Sequence, residues 1–353
     1  MFANVPTAEI HLNHIRANFE LARSRAPGCL VMPVIKANGY GHGAVEVAEA
    51  LGAAEAFAVA RVAEGVQLRA HLETKQSTKP IVVLEGFLGA KELEACLEQS
   101  LFPMVHSDHQ LELLPDDLPF WLKFNTGMFR LGFAPTRAAE ISQKIPHHVL
   151  LGICSHFANA DEPGHALNRV QAESFQSVCK EFPEAPRCFA NSGGILSELA
   201  SGCDWIRPGV MLFGGAPAGE PLPELKAGMT LKAPVISVQQ LSEGDCVGYG
   251  SSWQAKEACR IAVVALGYAD GYPREMPEGC PVLVNGERRK LVGRVSMDMC
   301  TVLLDDSDEV SACDSVTFWG PDLPIDEIAT RAGTISYTLM TGLGGRVQRQ
   351  YSK

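Results

Sequence analysis

The sequence has no excess of positive charge and few aromatic residues. It contains 30 Lys and Arg against 41 Asp and Glu, a formal net charge of −11, and aromatic residues make up 7% of the 353 positions. Nucleic acid and anionic membrane surfaces repel such a chain, so neither is an expected partner. The one basic cluster, Arg288-Arg289-Lys290, follows the hairpin signal Asn285-Gly286 and is interpreted as a solvated strand end.

Targeting signals and metal-binding motifs are also missing. No apolar run reaches the roughly 18 residues of a membrane span, and the N-terminal segment lacks the charged and apolar regions of a secretory signal. The 11 cysteines are scattered, and no two stand at C-x-x-C spacing. This pattern predicts buried thiols rather than disulfides or a zinc site. We therefore expect a cytoplasmic protein with no bound metal.

The chain has two parts that differ in their pattern of predicted secondary structure. Up to about residue 225, short apolar strands alternate with helical patterns in about eight β/α units, after a helix at residues 11–25. This alternation predicts a (β/α)8 barrel of the TIM type over residues 1–228. Longer strands separated by Gly, Pro and Asn turns predict a C-terminal, mostly antiparallel β domain over residues 229–353. The predicted barrel strands are residues 31–35, 57–60, 81–84, 102–105, 120–124, 149–155, 187–189 and 205–206, and those of the β domain include 231–239, 260–266, 281–284 and 300–304.

Lys36 is the most informative single residue. It ends a β-branched apolar strand within VIKANGYGHG, residues 34–43. In a barrel, active sites lie at the carboxyl ends of the strands. A lysine there is explained by a nucleophile, a Schiff base or an ion pair, but also by a side chain that merely reaches water from a strand end. The glycines predict a tight turn and a helix N-terminus suited to an anion, and their spacing excludes a dinucleotide fingerprint.

The segment around Lys36 closely resembles the pyridoxal-phosphate attachment signature of the alanine racemase family. Taken alone, it would also admit other fold-type III pyridoxal-phosphate proteins. The resemblance continues in order through almost the whole chain, whereas the tail from Met340 is less similar and has no assigned role. The matching motifs are TGMFRLGF (126–133), SHFANAD (155–161), NS (191–192), RPG (207–209), VGYG (247–250), GYADGYPR (267–274), GRVSMD (293–298) and TISY (334–337).

This resemblance implies an isomerase, alanine racemase (EC 5.1.1.1), that interconverts L-alanine and D-alanine. Lys36 would hold pyridoxal 5'-phosphate as a Schiff base and act as one catalytic base. Tyr249 would be the second base on the opposite face, supplied by the other subunit of a homodimer with shared active sites. Tyrosine ordinarily ionises near pH 10, so this role needs a cationic neighbour.

The remaining roles also follow from the resemblance. Arg207 would hydrogen-bond the pyridine nitrogen and leave it unprotonated, which disfavours side reactions, and His156 would contact Arg207. Phosphate would be bound by Ser192, Tyr40, Tyr337 and the backbone amides of Gly209 and Val210. The substrate carboxylate would be bound by Arg130 and by the backbone of the partner's Met297, and a possible carbamate on Lys123 would position Arg130. Tyr268 would line the entrance to the site.

Structural explanations remain open for single residues. His156 could be a strand-end histidine, Arg207 a structural ion pair and Lys123 a plain strand lysine. Tyr337 and Tyr268 could be packing residues.

Three other functions compete with alanine racemisation. A broad-specificity amino-acid racemase of the same fold is the hardest to separate. A fold-type III decarboxylase is expected to place a carboxylate where Arg207 stands and a cysteine where Tyr249 stands. A non-enzymatic single-barrel carrier of pyridoxal phosphate would lack the β domain.

Overall fold

A computed structural model describes residues 5–352, which form two compact units. The barrel unit comprises Arg16–Gly39 and Ala44–Leu212. The β unit comprises residues 5–15, Tyr40–Gly43 and residues 213–352. The division predicted between residues 228 and 229 stays a prediction.

Eight parallel strands form the barrel unit. Each strand pairs with the strands before and after it in the chain, and the eighth pairs with the first. A parallel bridge between Val34 and Ala58 joins the first strand's extension to the second strand, so the ring is closed. The strands are Leu30–Val31, Phe57–Val59, Ile81–Val83, Leu101–Val105, Phe120–Lys123, Leu150–Cys154, Arg187–Cys188 and Trp205–Ile206. The predicted (β/α)8 barrel is confirmed.

Helices follow most of these strands because apolar side chains recur on one helix face, where they pack against the ring. In Ala166–Cys179, for example, Phe175 and Val178 are buried beside Phe189 and Phe157 in the core. The α-helices of this part of the chain are Leu12–Arg25, Ala44–Ala50, Val62–Thr74, Ala90–Glu98, Asp108–Leu113, Ala138–Lys144, Ala166–Cys179 and Ser192–Leu196, and the 3-10 turns are Pro135–Arg137, His147–Val149 and Val210–Phe213.

The β unit is built on a second sheet of eight strands, in which every pairing is antiparallel except one. Its strands are Thr7–His11, Met229–Leu241, Cys259–Val264, Pro281–Val284, Glu287–Leu291, Cys300–Leu304, Ser315–Trp319 and Gln348–Ser352. The hairpin Cys246–Val247 with Trp253–Gln254, the helices Ile325–Arg331 and Ser336–Thr341, and the 3-10 turns Tyr249–Ser251 and Tyr268–Asp270 complete it. The predicted antiparallel β domain is confirmed.

Two local predictions were tested directly by these elements. The basic cluster lies in strand Glu287–Leu291 directly after the tight turn Asn285-Gly286, and Arg288 and Arg289 pair with Glu327 and Asp308. The helix expected at residues 11–25 begins at Leu12, because His11 belongs to the strand Thr7–His11. Among residues 5–352, no helix is long and apolar enough to cross a membrane.

Candidate active site

Lys36 follows the first barrel strand and begins an unusual turn. Ala37, Asn38, Gly39 and Tyr40 have φ values of 52°, 53°, 61° and 52°, all in the left-handed region. A residue with a Cβ pays about 1–2 kcal/mol to adopt this conformation. The turn is held by hydrogen bonds from the Ala37 amide to Glu64 Oε1 (2.7 Å) and from the Gly39 amide to the Ile35 carbonyl (2.8 Å). Such strain marks a place where the surrounding structure enforces one geometry.

The amine of Lys36 shares the mouth of the barrel with two other cations. Burial, and then the charge of Arg130, lower the pKa of Lys36. Lys123, at the end of the fifth strand, is only 8% exposed, and burial lowers its pKa, as do the charges of Arg207, Arg130 and Lys36. Within the part of the chain that the structure describes, neither lysine nor Arg130 makes an ion pair. An electropositive region of this kind, whose three cations make no ion pair within the described chain, is suited to bind an anion.

Arg207 follows the eighth strand, and both terminal nitrogens of its buried guanidinium have hydrogen-bond partners. It donates to the carbonyls of Ser155 (2.7 Å) and Cys188 (2.9 Å) and to Cys188 Sγ (2.8 Å). Its Nη2 also lies 3.3 Å from His156 Nδ1. Burial, followed by the charge of Arg207, lowers the pKa of His156 well below its ordinary value, so this imidazole is neutral near pH 7. Of the His156–Arg207 pair, therefore, only Arg207 carries a positive charge.

Two buried thiols lie next to Arg207. Cys154 and Cys188 are paired in register on the sixth and seventh strands. Burial acts to raise the pKa of Cys154, but the hydrogen bond from Cys188 and the charge of Arg207 outweigh it and lower that pKa. Burial also acts to lower the pKa of Arg207, and the two thiols reverse this shift. Arg207 is thereby kept charged in a dry environment.

Ser192 and Gly209 come together at the ends of the seventh and eighth strands. Ser192 Oγ accepts hydrogen bonds from the amides of Gly209 (2.8 Å) and Met211 (3.4 Å). Val210 begins the 3-10 turn that follows, and all these residues are buried. Hydroxyl and amide donors at the ends of strands seven and eight are the usual phosphate site of such barrels.

The β unit holds the other residues proposed from the sequence. Tyr40 and Tyr337 lie side by side, with ring centroids 6.0 Å apart. Burial, and then the neighbouring Tyr337, raise the pKa of Tyr40, so its hydroxyl keeps its proton and can donate a hydrogen bond. Tyr249, in contrast, is 71% exposed, Met297 51% and Tyr268 40%.

Arg346 fixes the two segments that carry Met297 and Tyr268. Its Nη1 lies 2.8 Å from Asp298 Oδ1, and its Nε lies 3.0 Å from the buried Asp270. Asp270 in turn accepts the amide of Gly267 at 2.9 Å. The amide of Ala269 also donates to the Met297 carbonyl at 2.9 Å. The two exposed side chains are therefore presented on ordered backbone.

Sequence reasoning missed three contributors to this geometry. Glu64 stands at the third position of a helix, where it reads as an ordinary helix cap. From the sequence alone, Cys188 is one of the scattered thiols, and Arg346 lies in the tail from Met340, to which the sequence assigns no role. The hydrogen bonds and ion pairs of these residues join segments far apart in the chain, and no local pattern signals them.

Comparison with known proteins tests the identity of this site. A family model described as the alanine racemase N-terminal domain matches residues 10–217, and one for the C-terminal domain matches residues 228–351. The chain belongs to the alanine racemase family. The alanine racemase of Chromohalobacter salexigens is 44% identical over 98% of this chain and 97% of its own length, and that of Shewanella sediminis is 42% identical over 97% and 98%.

Solved alanine racemases share this architecture. The biosynthetic enzyme of Pseudomonas aeruginosa superimposes with a TM-score of 0.91 at 40% identity, covering 99% of this chain and 100% of that one. The enzyme of Bartonella henselae, solved with covalently bound pyridoxal phosphate, superimposes with a TM-score of 0.89 at 30% identity over 99% of both chains.

The donor set of the barrel unit fits the cofactor on which alanine racemases depend. An aldehyde requires an amine that can lose its proton, and the pKa of Lys36 is lowered. A phosphate requires hydroxyl and amide donors: Ser192 Oγ accepts the Gly209 amide and keeps its own proton to donate, and Val210 begins the 3-10 turn beside it. A pyridine nitrogen can accept a hydrogen bond from the charged Arg207.

Proposed function

We propose that the chain interconverts L-alanine and D-alanine with Lys36 and Tyr249 as two bases on opposite faces of the substrate. Racemisation removes the α-proton from one face and returns a proton to the other. The bound pyridoxal phosphate supplies the electron sink for the pair left when the proton departs. The observation that carries the proposal is Lys36 at a barrel mouth, with a depressed pKa and without an anionic partner among the described residues.

The barrel unit would hold the cofactor. Arg207 would donate to the pyridine nitrogen, and because its raised pKa keeps it protonated it would leave that nitrogen neutral. His156 supports Arg207 as a neutral acceptor. We also propose that the phosphate is bound by Ser192, the amides of Gly209 and Val210, and the hydroxyls of Tyr40 and Tyr337.

Arg130 and Lys123 would act on the substrate carboxylate. Arg130 is exposed and can form a bidentate pair with that group. We propose that Lys123 carries a carbamate: its neutral amine adds to carbon dioxide, forms a C–N bond and releases one proton. The lowered pKa of Lys123 favours this reaction, and the resulting anion would fix Arg130. Carbon-13 carbonate should give a protein-bound carbonyl NMR signal that is absent from Lys123→Met, and no signal in either protein would refute the carbamate.

The exposed residues of the β unit support a homodimer with shared sites. We propose that Tyr249 and the backbone of Met297 act on the substrate of the other subunit, and that Tyr268 lines the entrance. A catalytic tyrosine that is 71% exposed needs a second surface to exclude water. A two-fold dimer would provide that surface reciprocally. We propose a cytoplasmic location, because the thiols are unpaired and most are buried.

The decisive experiment is an alanine racemisation assay combined with reductive capture of the cofactor. Purified protein should interconvert the two alanine enantiomers, and borohydride should link the cofactor irreversibly to Lys36. Lys36→Ala should abolish both. Turnover of many amino acids at similar rates would favour a broad-specificity racemase, and release of carbon dioxide a decarboxylase. A colourless protein with full activity would overturn the proposal.

A further inference from the structure

The left-handed turn after Lys36 depends on a carboxylate from another β/α unit. Five consecutive residues, Ala37 to Gly41, have positive φ, and only Gly39 and Gly41 adopt such angles without a steric penalty. A conformation of this kind persists only where external contacts enforce it. The contact on Ala37, the first of the five, comes from Glu64.

One carboxylate joins the ends of two neighbouring barrel strands. Glu64 Oε1 accepts the amide of Ala37 at 2.7 Å. Glu64 Oε2 accepts the amides of Ala60 at 2.7 Å and Arg61 at 3.2 Å. Ala37 lies after the first strand, and Ala60 and Arg61 lie after the second. Hydrogen bonds to an ionised acceptor are about twice as strong as neutral ones.

We propose that Glu64 is a positioning residue for Lys36, which holds the turn in its left-handed form and so fixes the direction from which the Lys36 amine meets the cofactor. This inference rests on the proposed role of Lys36. Loss of the carboxylate would leave the Ala37 amide without its acceptor and allow the turn to relax toward right-handed angles. The amine would then meet the cofactor and the α-carbon less accurately, although no group that touches the substrate has changed.

A second helix offers a matched comparison. Glu92 occupies the third position of helix Ala90–Glu98, as Glu64 does in helix Val62–Thr74. Glu92 Oε2 accepts the amide of Leu88 at 2.8 Å, a cap local to its own helix. A glutamate that acts only as a helix cap should therefore behave like Glu92 when it is replaced.

Glu64 also contributes charge at Lys36. Burial and Arg130 lower the pKa of Lys36, while Glu85 and Glu64 raise it. Replacing Glu64 by glutamine keeps the side-chain shape and removes the charge, so the proton on the Lys36 nitrogen is held less tightly. The pH midpoint of the visible absorbance of bound cofactor should then fall by roughly 0.5–1 unit.

The test compares holoenzymes carrying Glu64→Gln, Glu64→Ala, Glu92→Gln and Glu92→Ala. We expect kcat to fall about 10-fold in Glu64→Gln and about 100-fold in Glu64→Ala, with the KM for alanine changed less than threefold. The absorbance midpoint should move in Glu64→Gln and stay constant in both Glu92 variants.

The outcomes separate this inference from the proposed function. If the Glu64 variants lose thermal stability as the Glu92 variants do but keep the wild-type kcat and midpoint, Glu64 is only a helix cap and the inference is wrong. If Glu64→Ala does not fold, Glu64→Gln alone decides, because it retains an acceptor for Ala37. Failure of the wild type itself to racemise alanine would refute the proposed function instead.

Discussion

The two units present their chemically important side chains in opposite ways. In the barrel unit, Arg207 is 4% exposed, Ser192 5% and Lys123 8%. In the β unit, Tyr249 is 71% exposed and Met297 51%. Arg207 and Lys123 have shifted pKa values, and Arg207 and Ser192 make several hydrogen bonds, whereas Met297 is held through its backbone.

This difference separates two tasks. A buried, cationic environment holds its charges in place before any ligand arrives, which suits a site for a phosphorylated cofactor. Exposed apolar and aromatic side chains on ordered backbone suit contact with another surface. This division implies that the barrel unit determines how the cofactor is bound, whereas the β unit determines what a second copy of the chain contributes to the site.

The largest effect should come from mixing two inactive variants. Lys36→Ala and Tyr249→Phe should each lose activity by about 10³-fold or more. In a mixed dimer with shared sites, one site carries both changes and the other carries neither. Random exchange of equal amounts makes half of the dimers mixed, so activity should recover to about one quarter of wild type. Each variant taken alone through the same exchange is the control. Persistent inactivity despite demonstrated subunit exchange would rule out shared sites.

Arg207→Glu should change the reaction itself. A carboxylate beside the pyridine nitrogen favours its protonation, so racemisation should fall by about 10²-fold and transamination should take a larger share of turnover. Tyr249→Phe should lower the rate without changing that share. Product analysis by chiral chromatography, with pyruvate measured in parallel, distinguishes the two. An unchanged product ratio in Arg207→Glu would reduce Arg207 to a structural residue.

The pH dependence should respond to Arg130 in the opposite sense to Glu64. Arg130 lowers the pKa of Lys36, so Arg130→Met should raise it. We expect the absorbance midpoint of bound cofactor to rise by roughly 0.5–1 unit. Arg137→Met, which removes a partly exposed arginine paired with Asp108, is the control and should leave the midpoint in place. A downward shift in Arg130→Met would contradict this account of the barrel mouth.

The smallest effect should come from Arg346→Ala. Arg346 pairs with Asp270 and Asp298, so its removal leaves the segments that carry Tyr268 and Met297 less firmly held. The KM for alanine should then rise about 3–10-fold, with kcat within a factor of two. Arg288→Ala removes another arginine–carboxylate pair of the β unit and should leave the KM unchanged. Equal kinetics for the two variants would limit Arg346 to a structural ion pair with no effect on substrate binding.

Elements with a clear hydrophobic pattern are predicted from the sequence better than single strands that lack such a pattern. Short runs such as Ile81–Val83 predict a buried barrel strand, because every residue in them is apolar. Gln348–Ser352, with sequence QRQYS, has no apolar alternation that would predict a strand, and its place in the sheet depends on pairing with Thr7–His11. That pairing joins opposite ends of the described chain and cannot be read from a local window.

The candidate site shows the same limit. Motifs located Lys36, Arg207 and Ser192 because those residues lie within continuous signatures. They could not show that Ala37 and Asn38 adopt left-handed angles, since neither is glycine and the constraint on Ala37 comes from Glu64, 27 residues away. Nor could they show that Lys123 makes no ion pair among the described residues, because the absence of a contact has no sequence signal.

The pairing of Thr7–His11 with Gln348–Ser352 has a consequence for how the protein is made. The two strands run parallel, and His11 Nδ1 lies 3.2 Å from Ser352 Oγ although 341 residues separate them in sequence. During synthesis on the ribosome, residues 16–212 emerge long before the strand Gln348–Ser352 does, so the barrel unit can fold first. Until that strand emerges, one edge of Thr7–His11 lacks its hydrogen-bond partner in the sheet and is open to association with other nascent chains.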